Sequence, residues 1–393
     1  MERFLQPHQS GFRKNRSTTD VVWAHRAIAS IGLKYKKRIH ILGIDLSKAF
    51  DTVDRQKLLD VLLTITDEEN VKMIYKLLND TTNRIKIKDI FGSEFKSLIG
   101  VPQGDGLSPV LFIIYLNAAL NELMTYLKEE KGIQRLPNLL GYADDYDFVT
   151  ENEDEIKIIE ESAHLILGKW NLKVNMSKTE HTIVEKEGDR EWFSTKKLGS
   201  LIDSQTDVKK RIQLATFHFN NMWAFWKVDF KLSLEAKLRM YQQIIVPVLL
   251  YNCATWGLTQ GSLDQLEAGN RRLLRRLIGC FYPNTISNDA LYEKTKTVPL
   301  KKRIDKARWN QFRKVLLMDE KIPAHFWTKE YFILEKQPKW RGKSNMGLIT
   351  KLVEDLKRAN FRLKTEQDFV TLVEIADDTA KWQNLLLQMG IVY

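Results

Sequence analysis

Two cysteines, Cys253 and Cys280, are all that the 393 residues contain. That scarcity excludes a disulfide scaffold and a four-cysteine zinc site, and it makes a reducing compartment the default. Long apolar runs are also missing. The opening MERFLQPHQSGFRKNRSTTD has no apolar core of the signal-peptide kind, and VPVLLY and LFIIYLNAAL are too short or too polar to span a bilayer. No internal repeat of useful length occurs. The expectation is a soluble, intracellular chain with no membrane partner.

What is present is ample core material, 44% hydrophobic against 28% charged residues. This suffices for two or three packed subdomains and is too apolar for generic disorder. Lys and Arg number 61 against 50 Asp and Glu, a formal charge of +11. Such an excess favours a polyanion, nucleic acid above all, without choosing DNA over RNA or excluding an acidic membrane.

Two places deliver carboxylates from strand-like segments. The run ILGIDLSKAFDTVD reads as a buried strand over 38–44 ending in Asp45, followed by a turn at 47–50 and a helix over 55–63. Further on, apolar residues 139–142 and 146–150 flank Ala143-Asp144-Asp145, which suits a short hairpin showing the acidic pair at its tip. Helices are expected over 19–36, 68–78, 108–128 and 154–170, with a hairpin near 84–92 and strands at 172–174 and 181–184. From Asp207 the pattern becomes almost wholly helical, over 207–227, 233–251, 262–279 and 299–317. Residues 323–347, rich in Pro, Trp, Lys and Gly, show no clear period, and amphipathic helices resume over 347–390. The fold class is α+β, divided into 1–206, 207–320 and 321–393.

Carboxylates delivered this way suit two hard cations, Mg²⁺ or alternatively Mn²⁺, about 3.5–4 Å apart. One ion would polarise an attacking 3′-hydroxyl and the other would hold a triphosphate. Asp45 and Asp144 are the principal candidate ligands. Asp145 adds negative potential or a further oxygen, and a bound cation would relieve the repulsion between the adjacent acids. Asp377-Asp378, in an amphipathic helix, reads as surface acid, and Asp51 and Asp54 as turn caps. In GVPQGDGLSPVLF, Ser108 is the expected N-cap with Pro109 at the first helical position, and the glycine-rich loop brings Gln103 and Gly104 close to a template or nucleotide. Phe50 is either a core ring or a contact to the incoming sugar, and Lys178 either a solvated lysine or a point charge for phosphates. Arg13, Lys14 and Arg16 sit beside a helix start and suit phosphate or template contact, a solvated terminus being the alternative. Arg271, Arg272, Arg275 and Arg276 fall at helical spacing with leucines and offer phosphates one face of a helix, or simply solvate it. Trp223, Trp226 and Trp256 read as packing residues.

The ordered set QSGFRKNRSTTD, DLSKAFDTVD, GVPQGDGLSPVLF, YADD, NLKVNMSKTE and KKLGS closely resembles the reverse transcriptases of non-long-terminal-repeat retrotransposons. It is more distantly similar to those of group II introns. The resemblance covers about residues 6–203 and runs more loosely to about 315. It implies a right-hand polymerase palm with partial fingers, followed by a helical thumb-like domain and a helical C-terminal region. It also implies RNA-directed DNA synthesis from dNTPs on an RNA template and a DNA primer, in the nucleus. By this likeness Asp45, Asp144 and Asp145 match the catalytic aspartates and Phe50 the steric gate. Gln103 and Gly104 match the template and nucleotide loop, Lys178 the lysine after the catalytic hairpin, and Leu198-Gly199 the primer grip. Family members carry a fingers segment before QSGFR, so most of that subdomain is expected to be missing here. Arg13, Lys14 and Arg16 then compensate in part, another polypeptide supplies the segment, or the reading frame is a truncated copy. Without a visible endonuclease or zinc knuckle, autonomous mobility is not expected. An inactive remnant that binds RNA or assembles with a partner is the alternative to synthesis, and RNA-directed RNA synthesis is a weaker third reading, disfavoured by the bulk of Phe50.

Overall fold

A computed structural model describes residues 4–79, 82–133, 138–188, 190–227, 232–333 and 347–391. The chain divides into two compact units, one formed by Met1–Val21 with Arg38–Ile183 and the other by Val22–Lys37 with Val184–Tyr393. Helix α1 (Thr18–Tyr35) contributes its first residues to the first unit and the rest to the second.

In the first unit the apolar run after Arg38 forms β1 (Ile39–Ile44), nearly all buried, and the chain then makes the short β2 (Leu46–Ser47). Asp54 accepts from the backbone N–H groups of Gln56 and Lys57 and so starts α2 (Arg55–Leu63), which begins and ends as the sequence predicts. After α3 (Glu68–Asn79) come four two-residue strands, β3 (Thr82–Asn83), β4 (Lys86–Ile87), β5 (Ile90–Phe91) and β6 (Phe95–Lys96), paired β3 with β6 and β4 with β5.

Helix α4 (Ser108–Glu129) is the central packing element. Of the described helices it alone has the length and apolarity to cross a membrane, yet 61% of its most apolar stretch is buried inside the protein. The apolar pattern continues to both sides of LFIIYLNAAL and serves the interior. Strands β7 (Asn138–Tyr142) and β8 (Asp145–Thr150) form the expected hairpin, followed by α5 (Asp154–Lys169), β9 (Lys173–Val174) and β10 (Glu180–Val184). The main sheet has the order β10-β1-β8-β7. Leu42, Ile44, Leu139, Tyr146 and Phe148 share a core with Phe112, Tyr115 and Leu116 of α4 and with Ile159, Ala163 and Ile166 of α5. One sheet face is thereby covered by helices, because residues two apart on a strand point the same way.

Besides most of α1, the second unit has the hairpin of β11 (Lys196–Lys197) and β12 (Ser200–Leu201) and is from there on helical. The long helix expected over 207–227 is instead α6 (Ser204–Asn221) and the short α7 (Trp223–Trp226). The one expected over 233–251 is α8 (Leu234–Met240), a π-turn at Tyr241–Ile245 and α9 (Val246–Leu249). Pro247 lacks the N–H that a continuous α-helix would use, so the ladder is reset just before it. Then follow α10 (Gln260–Leu277), an unanticipated α11 (Asn288–Thr295), α12 (Leu300–Leu316) and α13 (Pro323–Ile333). Helix α13 lies in a stretch read as aperiodic. Six of its residues, Ala324, His325, Trp327, Thr328, Tyr331 and Phe332, are buried, which leaves little of the polar face that reveals a helical period. The rest of that stretch, 334–346, lies outside the described residues. Three helices close the chain, α14 (Leu348–Lys357), α15 (Glu366–Asp377) and α16 (Thr379–Gln388).

A buried carboxylate organises the start of this unit. Asp207 accepts from Arg26 at 2.7 Å, from the Trp256 indole at 2.9 Å and from the Leu201 amide at 3.2 Å. Burial lowers the pKa of Arg26, and Asp207 opposes that shift. Arg211 Nε lies 3.4 Å from the same acid, so removing Asp207 would leave two buried guanidinium groups without their carboxylate, whereas removing Arg26 would leave Asp207 still paired. Trp226 and Trp256 are buried in the same core and Trp223 packs against it, as expected of packing residues.

Candidate active site

Strand register brings Asp45 to the same end of the sheet as the adjacent pair Asp144-Asp145, about a hundred positions away in sequence. Gly43 pairs with Asp147 and Ile44 with Tyr146, so the antiparallel ladder ends one residue before Asp45 on one strand and one after Asp145 on the other. On the other side of β8, Tyr142 pairs with Asp145 and leaves Ala143-Asp144 as a two-residue loop. Asp145 is therefore the first residue of β8 rather than part of the tip, and it is exposed while Asp144 is half-buried. Asp45, Asp144 and Asp145 thus all belong to one end of the sheet.

The turn after β9 reaches the same place because β2 pairs with β9, Leu46 opposite Val174. Asn175 donates its backbone N–H to the Asp45 carbonyl at 2.8 Å and its side-chain Nδ2 to Asp45 Oδ2 at 3.3 Å. Lys178 Nζ lies 3.6 Å from the same oxygen. With the lysine side chain 66% exposed and the carboxylate 33%, this pair is well screened and positions charge more than it stabilises the fold.

Asp147 was not singled out from sequence. It is buried and lies two residues beyond Asp145, opposite Gly43, so it shares the sheet face of Asp45 and Asp145. The alternation in Asp-Tyr-Asp-Phe-Val carries that signal.

Phe50 sits in a one-turn 3₁₀ helix, Ala49–Thr52. Its ring stacks on buried Phe112 with centroids 4.3 Å apart and meets exposed Phe12 edge-on at 6.5 Å. Gln103 is exposed and donates to Asp51 Oδ1 at 3.2 Å. Gly104 has φ +105°, a conformation side-chain-bearing residues rarely adopt, with open space where a Cβ would be. The cap of α4 differs from expectation. The N-cap position is Leu107, which has no side-chain acceptor, and Ser108 is the first helical residue; Asp105, two residues before the cap, supplies the acceptors instead: Oδ1 accepts from the Leu107 and Ser108 amides at 2.9 and 2.6 Å, and Oδ2 accepts from the Ser108 hydroxyl at 2.9 Å. These bonds, that from the Ser108 amide above all, hold the Asp105 carboxyl below its ordinary range. A carboxylate reaching forward from the glycine loop satisfies more of the free amides than a serine hydroxyl can.

Beside this loop opens a cavity of about 990 Å³ lined by Asp51, Arg55, Gln103, Asp105 and the 97–101 segment, among others. Arg55 frames it, donating to the carbonyls of Gly100 at 2.8 Å, Ser97 at 2.6 Å and Ile99 at 3.3 Å.

In the second unit Leu198 and Gly199 form the two-residue turn of the β11–β12 hairpin, with φ +46° and +79°. The Tyr251 hydroxyl donates to the Leu198 carbonyl at 3.1 Å, and Arg211 donates to the Gly199 carbonyl and lies over the Tyr251 ring. The basic candidates differ in availability. Lys14 and Arg272 are exposed. Arg13 is half-buried and donates to the Gln6 and Gln9 carbonyls, and Arg16 is also half-buried. Arg275 donates to Asn288 and the Ile286 carbonyl, Arg276 to Asn220, and Arg271 bonds Tyr292.

A family model described as reverse transcriptase (RNA-dependent DNA polymerase) matches residues 1–213. The chain belongs to the reverse transcriptase family. Its matches to mobile elements, including jockey and R2, ally it with the non-long-terminal-repeat retrotransposon enzymes. It is 24% identical over 308 residues to a probable RNA-directed DNA polymerase from transposon X-element of Drosophila melanogaster, covering 71% of this chain and 33% of that protein. It is also 24% identical over 311 residues to a Pol polyprotein from retrotransposable element R2 of Popillia japonica, covering 71% and 43%. The chain thus spans less than half the length of these relatives. A solved telomerase from Candida albicans, with a fragment of telomeric RNA, is 13% identical over 74% of this chain and 54% of that one, at a TM-score of 0.41.

Proposed function

We propose that the chain is the synthetic part of an RNA-directed DNA polymerase, extending a DNA primer 3′-hydroxyl along an RNA template with dNTPs. The observation that carries this reading is the register that ends β1 with Ile44 opposite Tyr146, one residue before Asp45 on one strand and one after Asp145 on the other, beside the loop holding Asp144. Carboxylate oxygens are the donors that Mg²⁺ or Mn²⁺ prefers, so the donor chemistry at this sheet end fits two such ions. Asp45, Asp144 and Asp145 would hold them, and when bound they supply nucleophile activation and neutralisation of triphosphate charge.

The chain's own residues set the rest. Asn175 fixes the Asp45 carboxylate, and Lys178 holds positive charge where a triphosphate would approach. Phe50, braced by Phe112, offers an edge to the sugar. Gln103, Gly104 and the adjoining cavity suit the template base and nucleotide. Leu198-Gly199 supports the primer end; Lys14 with Arg13 and Arg16 in the first unit, and separately Arg272 with Arg271, Arg275 and Arg276 in the second, give phosphates positive charge. In this reading residues 1–206 act as palm and partial fingers, 207–320 as thumb, and 321–393 as a helical C-terminal region, in the nucleus. The β3–β6 region exposes Ile85, Ile87, Ile90, Phe91, Phe95 and Leu98, a concentration that suits a covering fingers segment from this or another polypeptide.

A second reading, RNA binding or assembly without synthesis, draws on one fact. Among the described residues no three His, Cys, Asp or Glu side chains stand close enough together to hold an ion. Incorporation of dNTPs on a primed RNA template with Mg²⁺ or Mn²⁺, beside Asp144→Asn, separates the two. Synthesis lost in the variant, with RNA binding kept, supports the polymerase. Equal extension by both would remove the site assignment, and RNA binding without synthesis by either would favour the second reading.

A further inference from the structure

Ahead of the basic group Arg13, Lys14 and Arg16, residues 8–10 are built into the back of the acidic hairpin. Gln9 bridges Gly141 in parallel fashion: Gly141 donates to the His8 carbonyl at 3.0 Å, and Ser10 donates to the Gly141 carbonyl at 2.8 Å. This lays residues 8–10 along β7. The Gln9 side chain, fully buried, then reaches the turn itself. Its Oε1 accepts from the Ala143 amide at 3.0 Å and the Gly11 amide at 2.6 Å. Its Nε2 donates to the Ala143 carbonyl at 3.1 Å and the Tyr146 hydroxyl at 2.8 Å.

Every hydrogen-bonding position of one carboxamide is thereby used, two donors and two lone pairs. The amide orientation follows from the partners, since the Ala143 N–H needs an oxygen and the Ala143 carbonyl needs an N–H. Ala143 has φ +58°, which is costly for a residue with a Cβ. Gln9 binds both ends of that strained unit, and Asp144 is the next residue. Gly11 completes the cradle, because a Cβ there would stand 2.3 Å from the Ala143 nitrogen. No other common side chain can replace Gln9: glutamate lacks the donors, asparagine is a methylene short, and leucine leaves buried amides unpaired.

We infer that Gln9 is a positioning residue for the proposed catalytic acids, acting through the backbone of Ala143 to hold Asp144 and Asp145 in register with Asp45. It rests on the polymerase reading for its consequence, though not for its geometry. The hairpin would then be preset by a segment more than 130 positions away in sequence, so that folding of the N-terminal stretch and competence of the acidic turn are one event.

The test compares Gln9→Ala, Gln9→Glu and the milder Tyr146→Phe with Leu123→Ala, a cavity variant in the α4 core of the same unit. Three quantities are read well below each melting temperature: amide exchange of peptide 139–148, Mn²⁺ affinity by electron paramagnetic resonance, and kcat against KM. The expectation is faster exchange at Ala143 and its neighbours in the Gln9 variants. Mn²⁺ binding should be about 10- to 100-fold weaker, with a matching loss of kcat at near-constant KM for primer–template. Tyr146→Phe should move each in the same direction by less, and Leu123→Ala should lower the melting temperature without these changes. Equal exchange and Mn²⁺ binding in Gln9→Ala and Leu123→Ala would overturn the inference, as would losses that track only the folded fraction. Should the unaltered chain make no DNA, the polymerase reading fails alone, and exchange with Mn²⁺ binding still decides the role of Gln9.

Discussion

Asn175 is joined to Asp45 twice, by backbone N–H to carbonyl at 2.8 Å and by side-chain amide to carboxylate at 3.3 Å. The first bond fastens the turn after β9 to the end of β1, and the second chooses the rotamer of the acid. Two functions are therefore separable by mutation, since the backbone bond survives any side-chain change.

Asn175→Ala should leave the fold within about 1 kcal/mol of the original, because only a partly solvated hydrogen bond is lost. Primer extension should fall about tenfold, with primer–template affinity unchanged, as the Asp45 carboxylate gains rotamer freedom. Steady-state extension and a denaturant midpoint measured on the same preparation check this. Undiminished kcat would mean that the strand end alone holds Asp45.

For Phe50 the structure shows the packing role, and the proposed sugar contact would use the same ring. The ring is half-buried and stacks on Phe112. Phe50→Ala should therefore both cost about 1–3 kcal/mol of stability, less than a fully buried ring, and raise the use of ribonucleotides relative to deoxynucleotides. Competition between rNTP and dNTP on one template reads the second effect independently of the first. Unchanged sugar selection in a folded variant would leave Phe50 as a packing residue only.

What the sequence made legible follows from locality. Asp45 and the acidic hairpin could be read because apolar runs of strand length lead into them, and α2 because its cap, Asp54, lies next to its first residue. The Asp105 cap was misassigned to Ser108 since both residues are good caps and only geometry tells which carboxylate or hydroxyl meets the amides. Asn175 and Gln9 were missed because their partners lie 130 and 134 positions away, and no local period encodes such a pairing. Helix α13 was hidden for the opposite reason, its burial on several sides having erased the amphipathic pattern.

Leu198 holds φ +46° without being glycine, asparagine or aspartate. Leu198→Gly should relieve roughly 1 kcal/mol of backbone strain and raise the melting temperature by a few degrees. If the turn supports a primer end through this side chain, the same variant should synthesise shorter products per binding event. A thermal melt together with a trap-limited extension assay distinguishes the outcomes. Greater stability with unchanged product length would show that the leucine serves neither the fold nor the primer.

His8 gives the first unit a specific weakness toward acid. Its Nε2 is buried without a hydrogen-bond partner among the described residues, and its ring meets Tyr146 edge-on. Burial foremost, and then the nearby Arg13 charge, push its pKa down from 6.5 to about 3. The folded state thus keeps this imidazole neutral where the unfolded chain would protonate it. Its stabilising contribution is complete above pH 6.5 and is lost as pH falls from 6.5 toward 3, with a limiting slope of about 1.4 kcal/mol per pH unit. His40 and His181, stacked on each other in the same sheet and also shifted down chiefly by burial, add to the slope. The carboxylates that the fold holds below their usual range, Asp105 among them, begin to matter only nearer the ordinary carboxylate value of 3.8. His8→Phe keeps the edge contact to Tyr146 and cannot protonate. Urea midpoints between pH 7 and 4.5 should therefore fall less steeply for His8→Phe than for the unaltered chain, and identical slopes would mean that protonated His8 finds water or a partner without opening the sheet.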